Sequence, residues 1–278
     1  MKTLYVSDLD GTLLNDSAEL SEYTRKTLNR LTASGLNFTI ATARTAYTVP
    51  TVLEGLDLRL PAILNNGVML FDLAARTFSN VKYIHPTAVN AALSAIRRYN
   101  LTALLYSADG AEQAVYYEPA LENAAMKEFR EVRFTRYGKK FTPVDRLETL
   151  SSDRVFYLSL LDAYPRLAPL YEEIRHPGTL SSAFYRNTYT ENSWLLEIFS
   201  AEASKANAAL ELKKLGGFDR ITAFGDNLND LPLFGAADEC LAVANAQEAV
   251  RAAADYVIDA NTSDGVARWL EKFFQNQH

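Results

Sequence analysis

The chain has 278 residues, 48% of them hydrophobic and 22% charged, enough for a large core in one domain or two. Its 28 basic and 34 acidic residues leave a formal net charge of −6, which excludes the broad basic face that a general nucleic-acid or membrane-surface protein needs. A single cysteine, Cys240, rules out an intrachain disulfide, and no signal-peptide core or membrane-length apolar run is visible, so a cytoplasmic protein is expected.

The first stretch, Met1 to Leu14, carries the densest signal. Thr3 to Val6 is a short apolar, β-rich run that predicts a strand buried on both faces. It stops at Ser7-Asp8-Leu9-Asp10-Gly11-Thr12, and Gly11 allows a sharp turn there. Two carboxylates directly after a buried strand are costly unless positive charge lies between them. In an open parallel sheet ligands bind outside the carboxyl ends of the strands, where Asp8 and Asp10 fall. The simplest physical reading is a Mg²⁺ site with a phosphoryl group beside it.

Glu22 to Ser34 predicts an amphipathic helix with Leu28 and Leu31 on one face, ended by Gly35. Asn37 to Ala41 predicts a second strand closing at Thr42-Ala43-Arg44, which completes a β-α-β unit. A helical stretch over Tyr47 to Leu56 and a third strand over Pro61 to Leu64 follow. Asn65-Asn66-Gly67 is a turn signal, and Val68–Phe71 with Thr77–Val81 reads as a hairpin.

Near His85-Pro86 the character changes. Helices are expected over Thr87–Tyr99, Pro119–Phe129 and Tyr164–Arg175. Strands are expected over Leu101–Tyr106, Ala114–Tyr117, Arg154–Leu161, Ser181–Arg186 and Ser193–Phe199. Arg130 to Leu150 shows no clear period and reads as a long connection. This middle is α+β rather than doubly wound.

The alternating pattern then returns. Ser204 caps a helix over Lys205–Leu215 that Gly216-Gly217 stops. Arg220–Phe224 is a strand ending at Gly225-Asp226, with Asp230 in the next helical turn, where a carboxylate suits the helix dipole. Cys240–Val243 and Tyr256–Ile258 are late strands around a helix at Gln247–Ala254, and Asp264–Phe274 is the closing helix. The expected architecture is therefore α/β: a Rossmann-like, doubly wound parallel-sheet core over 1–83 and 190–278, with an inserted α+β cap domain over 84–189.

Asp8-Leu9-Asp10-Gly11-Thr12-Leu13, Thr42, Lys205 and Gly225-Asp226-Asn227-Leu228-Asn229-Asp230 together resemble the motifs of the haloacid dehalogenase superfamily of phosphotransferases. Asn65-Asn66-Gly67, Val243-Ala244-Asn245-Ala246 and Thr262-Ser263-Asp264-Gly265-Val266 are similar to its Cof-type branch, and the insertion between Thr42 and Lys205 resembles that branch's C2B cap. The resemblance implies Asp8 as nucleophile forming an aspartyl-phosphate, Asp10 as general acid and base, Thr42 as a phosphoryl hydrogen-bond donor and Lys205 as charge compensation. It implies Mg²⁺ held by Asp8, the backbone carbonyl of Asp10 and Asp226, with Asp230 and Asn229 acting through water or neighbouring groups. The Ala43-Arg44 pair departs mildly from the family's Gly-Arg.

The expected activity is Mg²⁺-dependent hydrolysis of a small phosphorylated metabolite, a sugar phosphate, with no nucleic-acid or membrane partner. A phosphomutase or a specialised sugar-phosphate phosphatase remains open on the same fold. A non-catalytic binding module is the different-class alternative, disfavoured because Asp8, Asp10 and Lys205 are all present. Arg44, Asn66, Arg186, Asn187 and Glu191 are candidates for contact with the leaving group.

Overall fold

In a computed structural model, residues 1–109, 112–175, 178–187 and 193–275 are described. The chain divides into two units, Met1–Asn80 with the chain from Ser204, and Val81–Ala203.

The first unit begins with β1 (Thr3–Ser7), α1 (Glu22–Ala33), β2 (Phe38–Ile40) and α2 (Val49–Val52). β3 (Ala62–Leu64), β4 (Met69–Asp72) and β5 (Thr77–Ser79) follow and form a small antiparallel sheet. A single parallel bridge, Ala41 to Ile63, ties it to the end of β2. α2 is far shorter than the stretch from Tyr47 to Leu56 that the sequence suggests: Pro50 sits in its first turn and Gly55 is left-handed (φ 78°).

The second unit holds α3 (Pro86–Arg98), β6 (Leu104–Asp109), β7 (Glu112–Tyr117), α4 (Ala124–Tyr137), β8 (Thr142–Pro143), β9 (Val155–Asp162), α5 (Tyr164–Ile174), β10 (Leu180–Arg186) and β11 (Trp194–Ser200). The chain returns to the first unit through α6 (Lys205–Gly216), β12 (Arg220–Gly225), α7 (Leu231–Ala236), β13 (Glu239–Val243), α8 (Glu248–Ala253), β14 (Tyr256–Ile258) and α9 (Gly265–Gln275).

The main sheet of the first unit has the order β14-β13-β12-β1-β2, parallel throughout. Its central strands are apolar because both faces are covered: Leu4, Val6, Ile221, Ala223 and Phe224 are fully buried. Each large side chain of this kind contributes about 1.5–3 kcal/mol over its exposed state. The strand order reverses between β1 and β12, since the chain leaves β1 toward β2 and later leaves β12 toward β13. Right-handed crossovers running in opposite directions put their helices on opposite faces, and the gap between those two strand ends is the place where such sheets bind ligands.

Asp264 fastens the helix ends. It adopts φ 58°, and its Oδ1 accepts the hydroxyls of Ser21, the N-cap of α1, and of Thr24. The Asn65-Asn66-Gly67 turn takes three left-handed residues in succession, at φ 51°, 58° and 93°. A Cβ on Gly67 would lie 2.1 Å from the Ser204 carbonyl oxygen, so glycine there lets the turn press against the start of α6.

The second unit is built on a six-stranded sheet of order β10-β11-β9-β6-β7-β8, antiparallel except for the short β7–β8 pair. α3 and α5 supply Ala88, Val89, Leu93, Ile96, Leu167 and Leu170 to a core with Leu105, Leu158, Leu160, Leu196 and Ile198 of the sheet. Two expectations fail here. α4 begins only at Ala124, after its Asn123 N-cap, and runs to Tyr137 before a left-handed Gly138, so the segment from Arg130 is helix rather than connection. The second junction falls at Ser204 rather than at residue 190, because β11 pairs with β9 and β10. Among the described residues no helix is long and apolar enough to cross a membrane.

Candidate active site

β1 delivers Asp8 to the carboxyl edge of the sheet and β12 delivers Asp226 beside it, one on each side of the reversal in strand order. The backbone N–H of Asp8 still donates to the Phe224 carbonyl (2.9 Å), so the ladder fixes the two strand ends against each other up to the site. α6 starts with Lys205, whose N-cap Ser204 accepts from the Asn207 N–H at 2.9 Å. Lys205 Nζ lies 2.5 Å from Asp8 Oδ1 and 2.7 Å from Asp230 Oδ1. All three side chains are buried.

Asp230 sits in a 3-10 turn, Leu228–Asp230, at the foot of α7. Its second oxygen accepts the backbone N–H groups of Asp226 and Asn227, both at 3.1 Å. Both of its oxygens are therefore engaged, and its work is to orient Lys205 and to close the turn that carries Asp226. The Thr12 hydroxyl donates to Asp226 Oδ1 at 2.8 Å. A Cβ on Gly11 (φ 79°) would stand 2.5 Å from the other Asp226 oxygen, so glycine there admits the carboxylate.

Burial drives the electrostatics. It raises the Asp8 carboxyl well above the usual range, with Lys205 opposing and Asp230 and Asp226 reinforcing. It pushes Asp226 up to about 6, against the Thr12 hydrogen bond. Burial alone would lower the Lys205 ammonium, but Asp230 and Asp8 outweigh it and hold it above its ordinary value. Oxygens of Asp8, Asp226 and Asp230 lie within 4.8 Å of one another, and the Lys205 ammonium pairs with two of the three, Asp8 and Asp230. That donor set, all hard oxygen and short of positive charge, fits a small divalent cation.

The other sequence candidates divide. Arg44 clasps Asp10 through two bonds, Nε to Oδ2 at 2.8 Å and a terminal nitrogen to Oδ1 at 2.6 Å. This places Asp10 on the exposed rim rather than in the carboxylate cluster. Thr42 is buried at the end of β2; its hydroxyl accepts the Arg44 N–H (3.1 Å) and its carbonyl accepts the Asn66 N–H (3.0 Å). Asn66 is buried in the left-handed turn, and Asn229 is exposed on the turn before α7. Arg186 and Asn187 belong to the second unit. Asn187 closes the β10–β11 end, donating its N–H to the Ser193 carbonyl (2.9 Å) and Nδ2 to the Ser193 hydroxyl (3.1 Å), while Arg186 is exposed opposite Trp194. Glu191 lies outside the described residues.

Sequence reasoning missed the Arg44–Asp10 clasp and the Thr12–Asp226 bond. It also missed contacts from the loop after β13, where Asn245 Nδ2 donates to the Gly11 carbonyl (2.8 Å) and Gln247 Nε2 to Asn227 Oδ1 (2.7 Å). The available signal was the Val243-Ala244-Asn245-Ala246 stretch, which stands out in the sequence but carries no obvious chemistry.

Residues 5–270 match the family of haloacid dehalogenase-like hydrolases. The 5-amino-6-(5-phospho-D-ribitylamino)uracil phosphatase YwtE of Bacillus subtilis is 25% identical, across 98% of this chain and 98% of that protein. The pyridoxal phosphate phosphatase YbhA of Escherichia coli is 29% identical, across 95% of each. The fold is similar to that of a haloacid dehalogenase-like hydrolase from Bacteroides thetaiotaomicron, with a TM-score of 0.78, 24% identity, and 99% of this chain and 100% of that one covered. With the carboxylates and lysine gathered at the strand ends of this sheet, the chain belongs to the haloacid dehalogenase-like hydrolases and is a phosphatase of their Cof-type branch.

Proposed function

We propose that the protein is a Mg²⁺-dependent phosphatase that hydrolyses a small phosphorylated metabolite, a sugar phosphate, through an aspartyl-phosphate on Asp8. The observation that carries this reading is the buried Asp8 carboxylate, 2.5 Å from the Lys205 ammonium and opposed by Asp226. The relatives, whose names specify phosphate esters of small metabolites, support the small phosphorylated metabolite in this reading.

Mg²⁺, held by Asp8, Asp226 and the backbone carbonyl of Asp10, would supply positive charge to the phosphoryl oxygens. Lys205 neutralises Asp8 and the incoming phosphoryl group together, and Asp230 keeps its ammonium in place. The Thr42 hydroxyl donates to a phosphoryl oxygen. Asp8 attacks phosphorus as the ester P–O bond breaks, and Asp10 in its protonated form gives its proton to the leaving oxygen. Asp10 then takes a proton from water, whose oxygen attacks the same phosphorus; the acyl phosphate breaks, inorganic phosphate leaves and Asp8 is regenerated. Arg44 holds the Asp10 carboxylate in one orientation between these proton transfers.

The test is phosphate release from a panel of sugar, nucleotide and cofactor phosphates, with Mg²⁺ and with EDTA. Release should require Mg²⁺ and fall by at least about a thousandfold in Asp8→Asn. Turnover that survives EDTA, or that survives the substitution, would contradict the reading.

A further inference from the structure

The two loops that present Asp8 and Asp226 meet at the site, where the Thr12 hydroxyl donates to Asp226. Yet they bring together carboxylates that repel each other at close range. A third loop, between β13 and α8, touches both. Asn245 Nδ2 donates to the Gly11 carbonyl, in the loop carrying Asp8 and Asp10. Two residues on, the Gln247 N–H donates to the Asp226 carbonyl (2.9 Å) and its Nε2 to Asn227 Oδ1 (2.7 Å). Asn227 in turn is the N-cap of the turn that ends at Asp230.

Asn245 is itself held from behind. Its Oδ1 accepts the Asn261 N–H at 2.9 Å, and Asn261 Nδ2 donates to the Leu14 carbonyl at 2.9 Å. Asn261 thus closes a ring from Gly11 through Asn245 back to Leu14. Asn245 and Gln247 are exposed, and neither donates to any of the three carboxylates.

We propose that the β13–α8 loop is a brace that sets the spacing of the two metal-binding loops, with Asn245 and Gln247 as its positioning residues. The inference rests on the functional reading above, because the spacing matters only if a cation is held across it. In the absence of the brace the loops relax apart under carboxylate repulsion, and the cation must pull them back at the expense of its affinity. Hydrogen bonds made to metal ligands themselves are worth roughly 10–100-fold in metal affinity, and a brace on the residues beside the ligands falls at the lower end of that range.

The experiment is calorimetric titration of Mg²⁺ into chelator-stripped wild type, Asn245→Ala, Gln247→Ala and the double variant. Phosphate release is measured against Mg²⁺ concentration alongside. The double variant should bind Mg²⁺ about tenfold more weakly. Its KM for the phosphomonoester should stay unchanged, and saturating Mg²⁺ should restore its activity. Both side chains are exposed, so these substitutions should leave the core intact, which circular dichroism of each variant checks. A double variant with wild-type Mg²⁺ affinity overturns the brace, as does one whose lost activity saturating Mg²⁺ does not restore. A wild type that binds no Mg²⁺ overturns the functional reading itself, which separates the two failures.

Discussion

At the scale of single residues, the site is an arrangement of charge that the protein holds at a cost. Asp226 shows this most clearly. Its folded pKa of about 6 stands above an unfolded value of 3.8, chiefly through burial. Between those values the folded protein binds a proton that the unfolded chain has released. The extra stability is therefore complete below about pH 4 and is lost as pH rises through about 6. In chelator-treated protein the loss amounts to about 3 kcal/mol. Thermal unfolding of wild type and Asp226→Asn in EDTA, from pH 4 to 7, checks this: the variant should gain on wild type as pH rises, then level off. A difference between the two that stays flat with pH would contradict it. The placement of Asp8, Lys205 and Asp226 could be read directly from the sequence because each lies at the end or the start of an element whose signal is local. The Arg44–Asp10 clasp could not, since it depends on the ends of β1 and β2 lying side by side. An arginine after a strand has the same appearance whether it faces a carboxylate or water.

At the scale of elements, the periodic segments were legible and the weakly periodic one was not. β1, α1, β2, α6 and β12 carry runs or faces that match their burial. α4 buries only Met126 and Phe129, so its apolar stripe is too thin to carry the expected helix past Phe129. Its ends are what define it: the Asn123 side chain accepts the Met126 N–H (2.8 Å) and donates to the Leu161 carbonyl (2.8 Å), and Gly138 supplies the left-handed stop. Lys139, just beyond, is buried against the Tyr106 hydroxyl (3.2 Å), and burial lowers its pKa well below the usual lysine range, with Arg133 adding to the effect. A lysine in a basic stretch gives no sequence hint of such a position. Replacing Asn123 by Ala removes both the cap and the tie to β9, and should cost about 1–2 kcal/mol. Urea unfolding followed by circular dichroism measures it; a midpoint equal to wild type would show that α4 does not depend on its cap.

At the scale of the whole molecule, chain order and spatial order differ in a way that explains both the site and the misplaced boundary. The parallel sheet is assembled from both ends of the chain, so β1 and β12 become neighbours although more than half of the sequence separates them. That pairing creates the reversal at which Asp8 and Asp226 meet, and it was foreseeable once the alternating pattern was seen to resume near Ser204. The end of the inserted unit was harder to place. β11 is an apolar strand that suits either sheet, and only its pairing with β9 and β10 assigns it. The proposed reaction requires that Asp8 carry the phosphoryl group during turnover. The most direct test is to mix Asp10→Asn with Mg²⁺ and a nitrophenyl phosphate, whose leaving group departs without a proton, quench in acid, and map the peptides by mass spectrometry. A hydroxylamine-labile phosphoryl group should appear on the peptide containing Asp8, accumulating because the second proton transfer is impaired. Continued phosphate release with no phosphoryl group on that peptide at any time would contradict it.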